Sequence, residues 1–115
     1  MTNNKEATRF YSRKQEEQVA KIVSGKVVAN SGAAMFVAGD VQTDDYLFEC
    51  KTSMKEVSSM SIKKEWLTKI KQEAFSKNKS SGIVVFNFGP DTKNYFIIDE
   101  ELMRKFLFIE NSKES

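Results

Sequence analysis

The sequence predicts an α/β fold in which one central mixed β-sheet is flanked by helices, with the element order α-β-β-β-α-β-β-α. Apolar residues recur at helical spacing in two segments, near residues 12–24 and 62–77. Residues 46–51 alternate between two faces as a strand does. Residues 83–88 form a near-continuous apolar run, which is typical of a central strand covered on both faces.

Length and composition indicate one folded domain spanning residues 1–115, with flexible ends at 1–11 and 111–115. The net charge of +2 is too small to identify a nucleic-acid partner by itself. Histidine is absent and Cys50 is the single cysteine, which excludes Ser-His-Asp chemistry, zinc fingers and intramolecular disulfides. No apolar run is long enough for a membrane span, and the N-terminus lacks the apolar core of a signal peptide, so neither is expected. The single free cysteine fits a reduced cytoplasmic setting.

The first helix is expected to begin at Ser12, a plausible N-cap, and to end near Ser24, before Gly25. Its inward stripe consists of Val19, Ala20 and Val23. Glu16 precedes these residues by three, four and seven positions and therefore lies on the same face, whereas Glu17 points elsewhere. A carboxylate on a buried face needs a cation or a metal. The alternative is a half-solvated Glu16 favoured by the helix dipole.

Three short strands follow, at 26–30, 33–41 and 46–51, and polar turns separate them at 30–32 and 42–45. Alternation in the third strand places Tyr46, Phe48 and Cys50 on one face and Leu47, Glu49 and Lys51 on the other. A hairpin centred on Asp44 and Asp45 brings Asp40 nearly opposite Glu49, with Cβ atoms about 5 Å apart.

Two carboxylates this close repel each other, and a divalent cation between them relieves the repulsion. Asp40 and Glu49 would each give an oxygen ligand to magnesium, the backbone carbonyl of Cys50 could give a third, and Glu16 would reach the site from the adjoining face. Lys51 would position a water or neutralise a phosphate. These groups suit metal-assisted phosphodiester hydrolysis. The alternative is a solvated turn in which Lys51 pairs with Glu49.

After a polar linker at 52–61, Ser61 is expected to cap a second helix from Ile62 to about Lys77. Its apolar face is predicted to contain Ile62, Trp66, Ile70, Ala74 and Phe75. Its other faces carry Lys63, Lys64, Lys69 and Lys71, and Lys55 lies in the linker. Such lysines either form a solvated surface or contact a DNA backbone. A central strand at 83–88, an edge strand at 95–98 and a helix at 100–108 capped by Asp99 complete the chain.

Glu16, the Asn30-Ser31-Gly32 turn, Gly39-Asp40 and Glu49-Cys50-Lys51-Thr52 stand in an order that resembles the PD-(D/E)XK nuclease superfamily. Within it, they look most like the archaeal and phage Holliday-junction resolvases. The resemblance covers residues 12–53 and implies a restriction-endonuclease-like core. A departure is the pair Glu16-Glu17, which leaves the first acid ambiguous, although the helical face favours Glu16.

The resemblance implies a homodimer that uses magnesium or manganese to cut two opposed strands of a branched DNA molecule, the four-way junction. It implies metal-binding roles for Glu16, Asp40 and Glu49, and catalytic roles for Lys51 and Ser31. DNA contacts are expected at Asn30, Ser31, Lys55, Lys63 and Lys64. The setting would be the cytoplasm, or the host cytoplasm if a phage encodes the chain. The alternatives are a nuclease of the same fold acting on flaps, nicks or restriction sites, and a non-catalytic DNA-binding domain.

Overall fold

The structure, a computed structural model, describes residues 4–28 and 39–114. It contains a mixed five-stranded sheet and three helices in the predicted order α-β-β-β-α-β-β-α. The elements are α1 (Asn4–Val23), β1 (Lys26–Val27), β2 (Val41–Gln42), β3 (Tyr46–Lys51), α2 (Lys64–Ser76), β4 (Ser81–Phe86), β5 (Tyr95–Ile97) and α3 (Glu100–Glu114). The predicted α/β fold class is therefore confirmed.

The strands lie in the spatial order β1-β2-β3-β4-β5. Pairing is antiparallel except between β3 and β4, which run parallel because α2 carries the chain back across the sheet between them. The strand β4 is buried at Gly82–Val85, as its continuous apolar sequence predicts, and β5 lies at the sheet edge.

The two faces of the sheet carry separate apolar clusters. One cluster joins Val19 of α1 and Leu102 of α3 to Val41, Phe48, Ile83 and Val85 of the sheet. The other joins Ile70 and Ala74 of α2 to Leu47 and Val84. The sheet thus lies between α1 and α3 on one face and α2 on the other, and successive residues of β3 enter opposite clusters as the alternation predicts.

Helix boundaries differ from expectation at three ends. The helix α1 begins at Asn4, so the predicted start at Ser12 is wrong, and residues 4–11 of the segment predicted to be flexible are helical. This segment contains the good helix formers Ala7 and Arg9 and no glycine or proline to stop the helix. No glycine or proline follows Phe108 either, and α3 runs beyond its predicted end to Glu114, so residues 111–114 are helical. Residues 1–3 and 115 lie outside the described residues.

The helix α2 begins at Lys64 and not at Ile62, and its N-cap is Lys63, which makes no side-chain capping hydrogen bond. Ser61 is therefore not the cap. Two residues of its predicted apolar face are also exposed, Ile62 before the helix and Phe75 at 83% exposure. Phe75 directly follows the buried Ala74, and one residue turns a helix by about 100°. By contrast, Asp99 caps α3 as predicted, since its Oδ1 accepts from the Leu102 N–H at 2.9 Å.

Glycine is required where α1 meets the sheet. Ser24, the residue after α1, has a left-handed φ of 55°, and the Gly25 N–H donates to the Ala20 carbonyl at 2.8 Å. A Cβ atom on Gly25 would lie 2.5 Å from the Gln42 carbonyl oxygen of β2. Close packing of the helix end on the hairpin therefore excludes a side chain there. None of the described helices is long and apolar enough to cross a membrane.

Candidate active site

The hairpin of β2 and β3 forms the base of the site. Val41 pairs with Phe48 and Gln42 pairs with Leu47, and the Thr43 N–H donates to the Tyr46 carbonyl at 2.9 Å. The turn is therefore centred on Asp44 and Asp45, as predicted. Both acids are exposed at the far end of the hairpin, away from Asp40.

Asp40 is held beside β3 by its backbone and by its side chain. Its N–H donates to the Phe48 carbonyl at 2.7 Å, and its Oδ2 accepts from the Cys50 N–H at 2.8 Å. Its own carbonyl points the other way and accepts from the Val28 N–H at 2.9 Å. In a regular strand both backbone groups point to one side, so the chain turns at Asp40 as it does at a β-bulge. The two contacts with β3 bracket Glu49.

Glu49 and Lys51 project together from β3, on the face that α2 covers. Leu47 precedes them on this face and packs against Ile70 and Ala74. The Lys51 Nζ lies 3.6 Å from Glu49 Oε1, and both side chains are partly buried. The prediction that these two charged groups share a face is confirmed, and they form an ion pair at the end of the strand.

The helix α2 adds three residues that the sequence did not indicate. Glu73 Oε2 accepts from the Gly39 N–H at 3.0 Å, which ties the backbone just before Asp40 to the helix. The Lys69 Nζ lies 3.9 Å from Glu73 Oε1, and the four-residue spacing of the two is typical of an ordinary ion pair on a helix surface. The Lys51 Nζ lies 4.7 Å from the centre of the Trp66 ring, a cation–π distance. The helical spacing of apolar residues predicts only that Trp66 lies on the face of α2 that packs on the sheet.

The helix α1 approaches from the opposite face. Glu16 is half-buried and Glu17 is exposed, as the helical-face argument predicts. Burial raises the pKa of Glu16 from 4.5 to about 7, and the negative charge of Asp40 adds to the effect, while Arg13 opposes it. The preceding residue, Gln15, is only 2% exposed, and its Nε2 donates to the Lys51 carbonyl at 3.0 Å. Gln15 therefore fixes the backbone of Lys51.

Electrostatic coupling joins the acids of the site. Burial raises the pKa of Asp40 although the Cys50 N–H and the charge of Lys51 oppose the shift. Burial likewise raises the pKa of Glu49, with Asp40 as the next cause. The Cys50 thiol has a raised pKa because it is buried and because Asp40, Glu16 and Glu49 are close. Cys50 thus offers its backbone to the site rather than a thiolate.

This donor set fits a hard divalent cation in part. Magnesium takes one or two carboxylates and keeps several waters, and Asp40 and Glu49 are two neighbouring carboxylates in mutual repulsion. The Cys50 carbonyl faces the side of Asp40, because N–H and C=O of one strand residue point together. Within residues 4–28 and 39–114, no group of three His, Cys, Asp or Glu side chains is arranged to hold a metal ion. Glu16 is therefore coupled to the pair without completing a three-carboxylate cluster.

The predicted DNA-contacting residues are distributed around this centre. Lys63 and Lys64 are exposed and stand within one helical turn of Trp66, at the start of α2. Lys55 is exposed in the linker between β3 and α2. The predicted turn at Asn30, Ser31 and Gly32 lies outside the described residues, and so do the expected strand residues 29–30 and 33–38.

No protein-family model, curated protein or solved structure matches this chain. The likeness to the PD-(D/E)XK nucleases stays a hypothesis carried by four short sequence elements. In the described residues, Asp40, Glu49 and Lys51 lie together on one hairpin, and helices support them from both faces of the sheet.

Proposed function

We propose that this protein is a metal-dependent DNA endonuclease that resolves four-way junctions. The observation that supports the proposal most is the placement of Asp40 across Glu49, with Lys51 on the same strand. Two half-buried carboxylates with raised pKa values, one of them raised in part by the charge of the other, form a site for a cation, and a lysine beside them suits a phosphate. The lack of histidine in the sequence leaves carboxylates and lysine as the groups for such hydrolysis.

In this proposal Asp40, Glu49 and the Cys50 carbonyl hold magnesium or manganese, and Glu16 adds negative charge from α1. The cation would lower the pKa of a bound water and offset charge that develops on the phosphate. Lys51 orients the attacking water or neutralises the phosphate. Trp66 and Gln15 restrain the side chain and the backbone of Lys51. Lys55, Lys63 and Lys64 contact the DNA backbone, and the sequence-based roles of Asn30 and Ser31 in DNA contact and catalysis are part of the same proposal.

We also propose that the active form is a homodimer, because two opposed strands of a junction must be cut. The helix α3 supports this. Only Leu102 of its apolar residues is buried, whereas exposed apolar side chains extend along it: Met103, Phe106, Leu107, Phe108 and Ile109. Beside them lies a cavity of ≈ 680 Å³ whose apolar lining includes Phe48, Ile83 and Phe96. The hollow has a mixed lining that also includes Asp44, Asp45 and Lys79, and its apolar part can receive the ridge of a second copy in a two-fold contact. The setting proposed is the cytoplasm, or the host cytoplasm for a phage-encoded chain.

A cleavage assay tests the proposed activity. Purified protein and magnesium are mixed with a four-way junction and, separately, with linear duplexes made of the same arms. We expect paired symmetric nicks in the junction and at least tenfold slower cutting of the linear duplexes. Equal cutting of both would favour a restriction-type nuclease, and preference for flapped or nicked duplexes would favour those substrates. Junction binding without any cutting would indicate a non-catalytic DNA-binding domain.

A further inference from the structure

Two aromatic side chains that take no part in the site described above continue the row that begins at Lys51 across the sheet. Lys51 pairs with Phe86 of β4, and Phe86 pairs with Tyr95 of β5. Paired residues share a face of the sheet, so all three project on the side of α2. Neighbouring strands are about 4.8 Å apart, so Tyr95 stands roughly 10 Å from Lys51. An aromatic surface therefore begins where the proposed phosphate site ends.

The rings on this surface are fixed against each other. The Phe86 and Tyr95 rings are stacked at 25°, with centroids 5.5 Å apart. Phe88 meets both edge-on, at 5.4 Å from Phe86 and 5.6 Å from Tyr95. Even so, Tyr95 is 44% exposed. We name Phe86, Phe88 and Tyr95 the aromatic patch; it presents an oriented ring to solvent at the open edge of the sheet.

Basic residues flank the aromatic patch. Lys51 stands at one end of the row, and the exposed Lys93 lies two residues before Tyr95. Lys63 and Lys64 are exposed at the start of α2, next to the Trp66 ring that contacts Lys51. Planar rings among lysines suit a partner with a flat apolar group and a nearby negative charge. A nucleotide has both, in its base and its phosphate.

We propose that the aromatic patch stacks an unpaired nucleobase of the strand whose phosphate faces Lys51, with Tyr95 as the contacting ring. This inference rests on the proposed nuclease function and narrows its substrate. Inside a duplex, neighbouring bases cover both faces of each base, so stacking on protein needs a nucleotide whose stacking is broken. The substrate class is thus DNA with an unstacked nucleotide beside the cut, as at a branch point or a strand end.

The test measures binding in EDTA, so that cutting plays no part. The probe is a short single-stranded oligonucleotide that carries one 2-aminopurine, whose fluorescence falls when it stacks. The variants are Tyr95→Ala, which removes the ring, Tyr95→Phe, which keeps it, and Tyr95→Leu, which keeps apolar bulk without it. Phe75→Ala is the matched control, because Phe75 is an exposed aromatic residue of α2 outside the patch.

We expect Tyr95→Ala and Tyr95→Leu to bind the probe about tenfold more weakly and to lose the quenching, while Tyr95→Phe and Phe75→Ala stay within twofold of the wild type. Wild-type binding by a folded Tyr95→Leu variant would overturn the inference, as would equal losses in Tyr95→Phe. It would also be overturned if the DNA-free wild type is a dimer that Tyr95→Leu converts to a monomer, because the patch would then bind a second copy.

The same variants separate this inference from the nuclease proposal. If the wild type cuts junctions with magnesium but Tyr95→Ala and Tyr95→Leu bind the probe normally, the stacking inference fails and the nuclease proposal stands. If binding depends on the Tyr95 ring but no DNA is cut under any metal condition, the nuclease proposal fails and the patch remains a nucleic-acid site.

Discussion

The two ends of the β2–β3 hairpin differ in what they leave exposed. At the Asp40 end, charged side chains are half-buried and held by backbone hydrogen bonds and by helices on both faces. At the turn end, apolar groups stay open: the ≈ 680 Å³ cavity lies beside Phe106 of α3, which is 37% exposed. Burying acids near one another and exposing rings both work against stability in an isolated chain. Under the proposed function each end takes a partner, a cation at the charged end and the apolar surface of a second copy at the turn end.

The largest effect is expected at the charged end, from Asp40→Asn. The amide oxygen of asparagine can still accept from the Cys50 N–H, so the fold should survive while the ligand charge is lost. We expect junction cleavage with magnesium to fall by about 1000-fold or more. Single-turnover rates measure this, and circular dichroism checks the fold. Asp45→Asn in the exposed turn is the control and should cut at the wild-type rate. Full activity in Asp40→Asn would remove Asp40 from the site.

The apolar end is tested by the double substitution Leu107→Ser and Phe108→Ser. If α3 forms the dimer contact, removing two large apolar groups from it should weaken dimerisation by at least about 100-fold. Sedimentation at micromolar concentration without DNA reports the mass. Phe75→Ser, which removes an exposed ring from α2, should leave the dimer intact. A monomeric wild type at this concentration would contradict the dimer proposal.

A smaller effect is expected where α2 supports the charged end. Trp66→Leu removes the ring over the Lys51 Nζ and retains apolar volume beside the sheet. A cation–π contact contributes about 1 kcal/mol, so kcat/KM should fall by about fivefold. Trp66→Phe keeps a ring and should lose less. If both variants cut at the wild-type rate with unchanged stability, Trp66 has no role in positioning Lys51.

The smallest effect concerns stability and pH. The pKa of Glu16 rises from 4.5 to about 7 on folding, mainly because the group is buried. Between these values the folded protein binds this proton more tightly than the unfolded chain does, so the free energy of unfolding falls as pH rises from 4.5 to 7. Glu16→Gln removes this loss. The difference in free energy of unfolding between the variant and the wild type should be about 1 kcal/mol more favourable to the variant at pH 8 than at pH 4, after allowance for solvent screening.

Urea unfolding at the two pH values measures this gain, and Glu17→Gln on the exposed side of α1 is the control. An equal change in both variants would show that the effect comes from net charge and not from the site. A larger gain at pH 4 would reverse the sign and contradict the burial of Glu16.

Local rules explain why so much of the hairpin could be predicted. Its turn at Asp44 and Asp45 follows from polar residues between two apolar runs, and the shared face of Glu49 and Lys51 follows from the period of a strand. The stripe that places Glu16 towards the sheet follows in the same way from helical spacing. Each of these inferences needs only residues close in sequence.

The support of the site could not be predicted, because it depends on contacts between distant segments. Gln15 meets Lys51 across 36 residues and Glu73 meets Gly39 across 34. Nothing in the spacing of either residue distinguishes it from a surface amide or a surface acid. The exposure of Phe75 is also a tertiary outcome, since local pattern does not tell whether a neighbouring element will cover a given face of a helix.

The parallel pairing of β3 with β4 has a consequence for how the chain folds. The hairpin that carries Asp40, Glu49 and Lys51 can form from contacts a few residues apart. Lys51, however, is paired with Phe86, which the chain reaches only after the whole of α2. Closing a loop of this length is slower than closing a hairpin. Folding should therefore assemble the acidic half of the site first and lock the lysine in place last, when the crossover is complete.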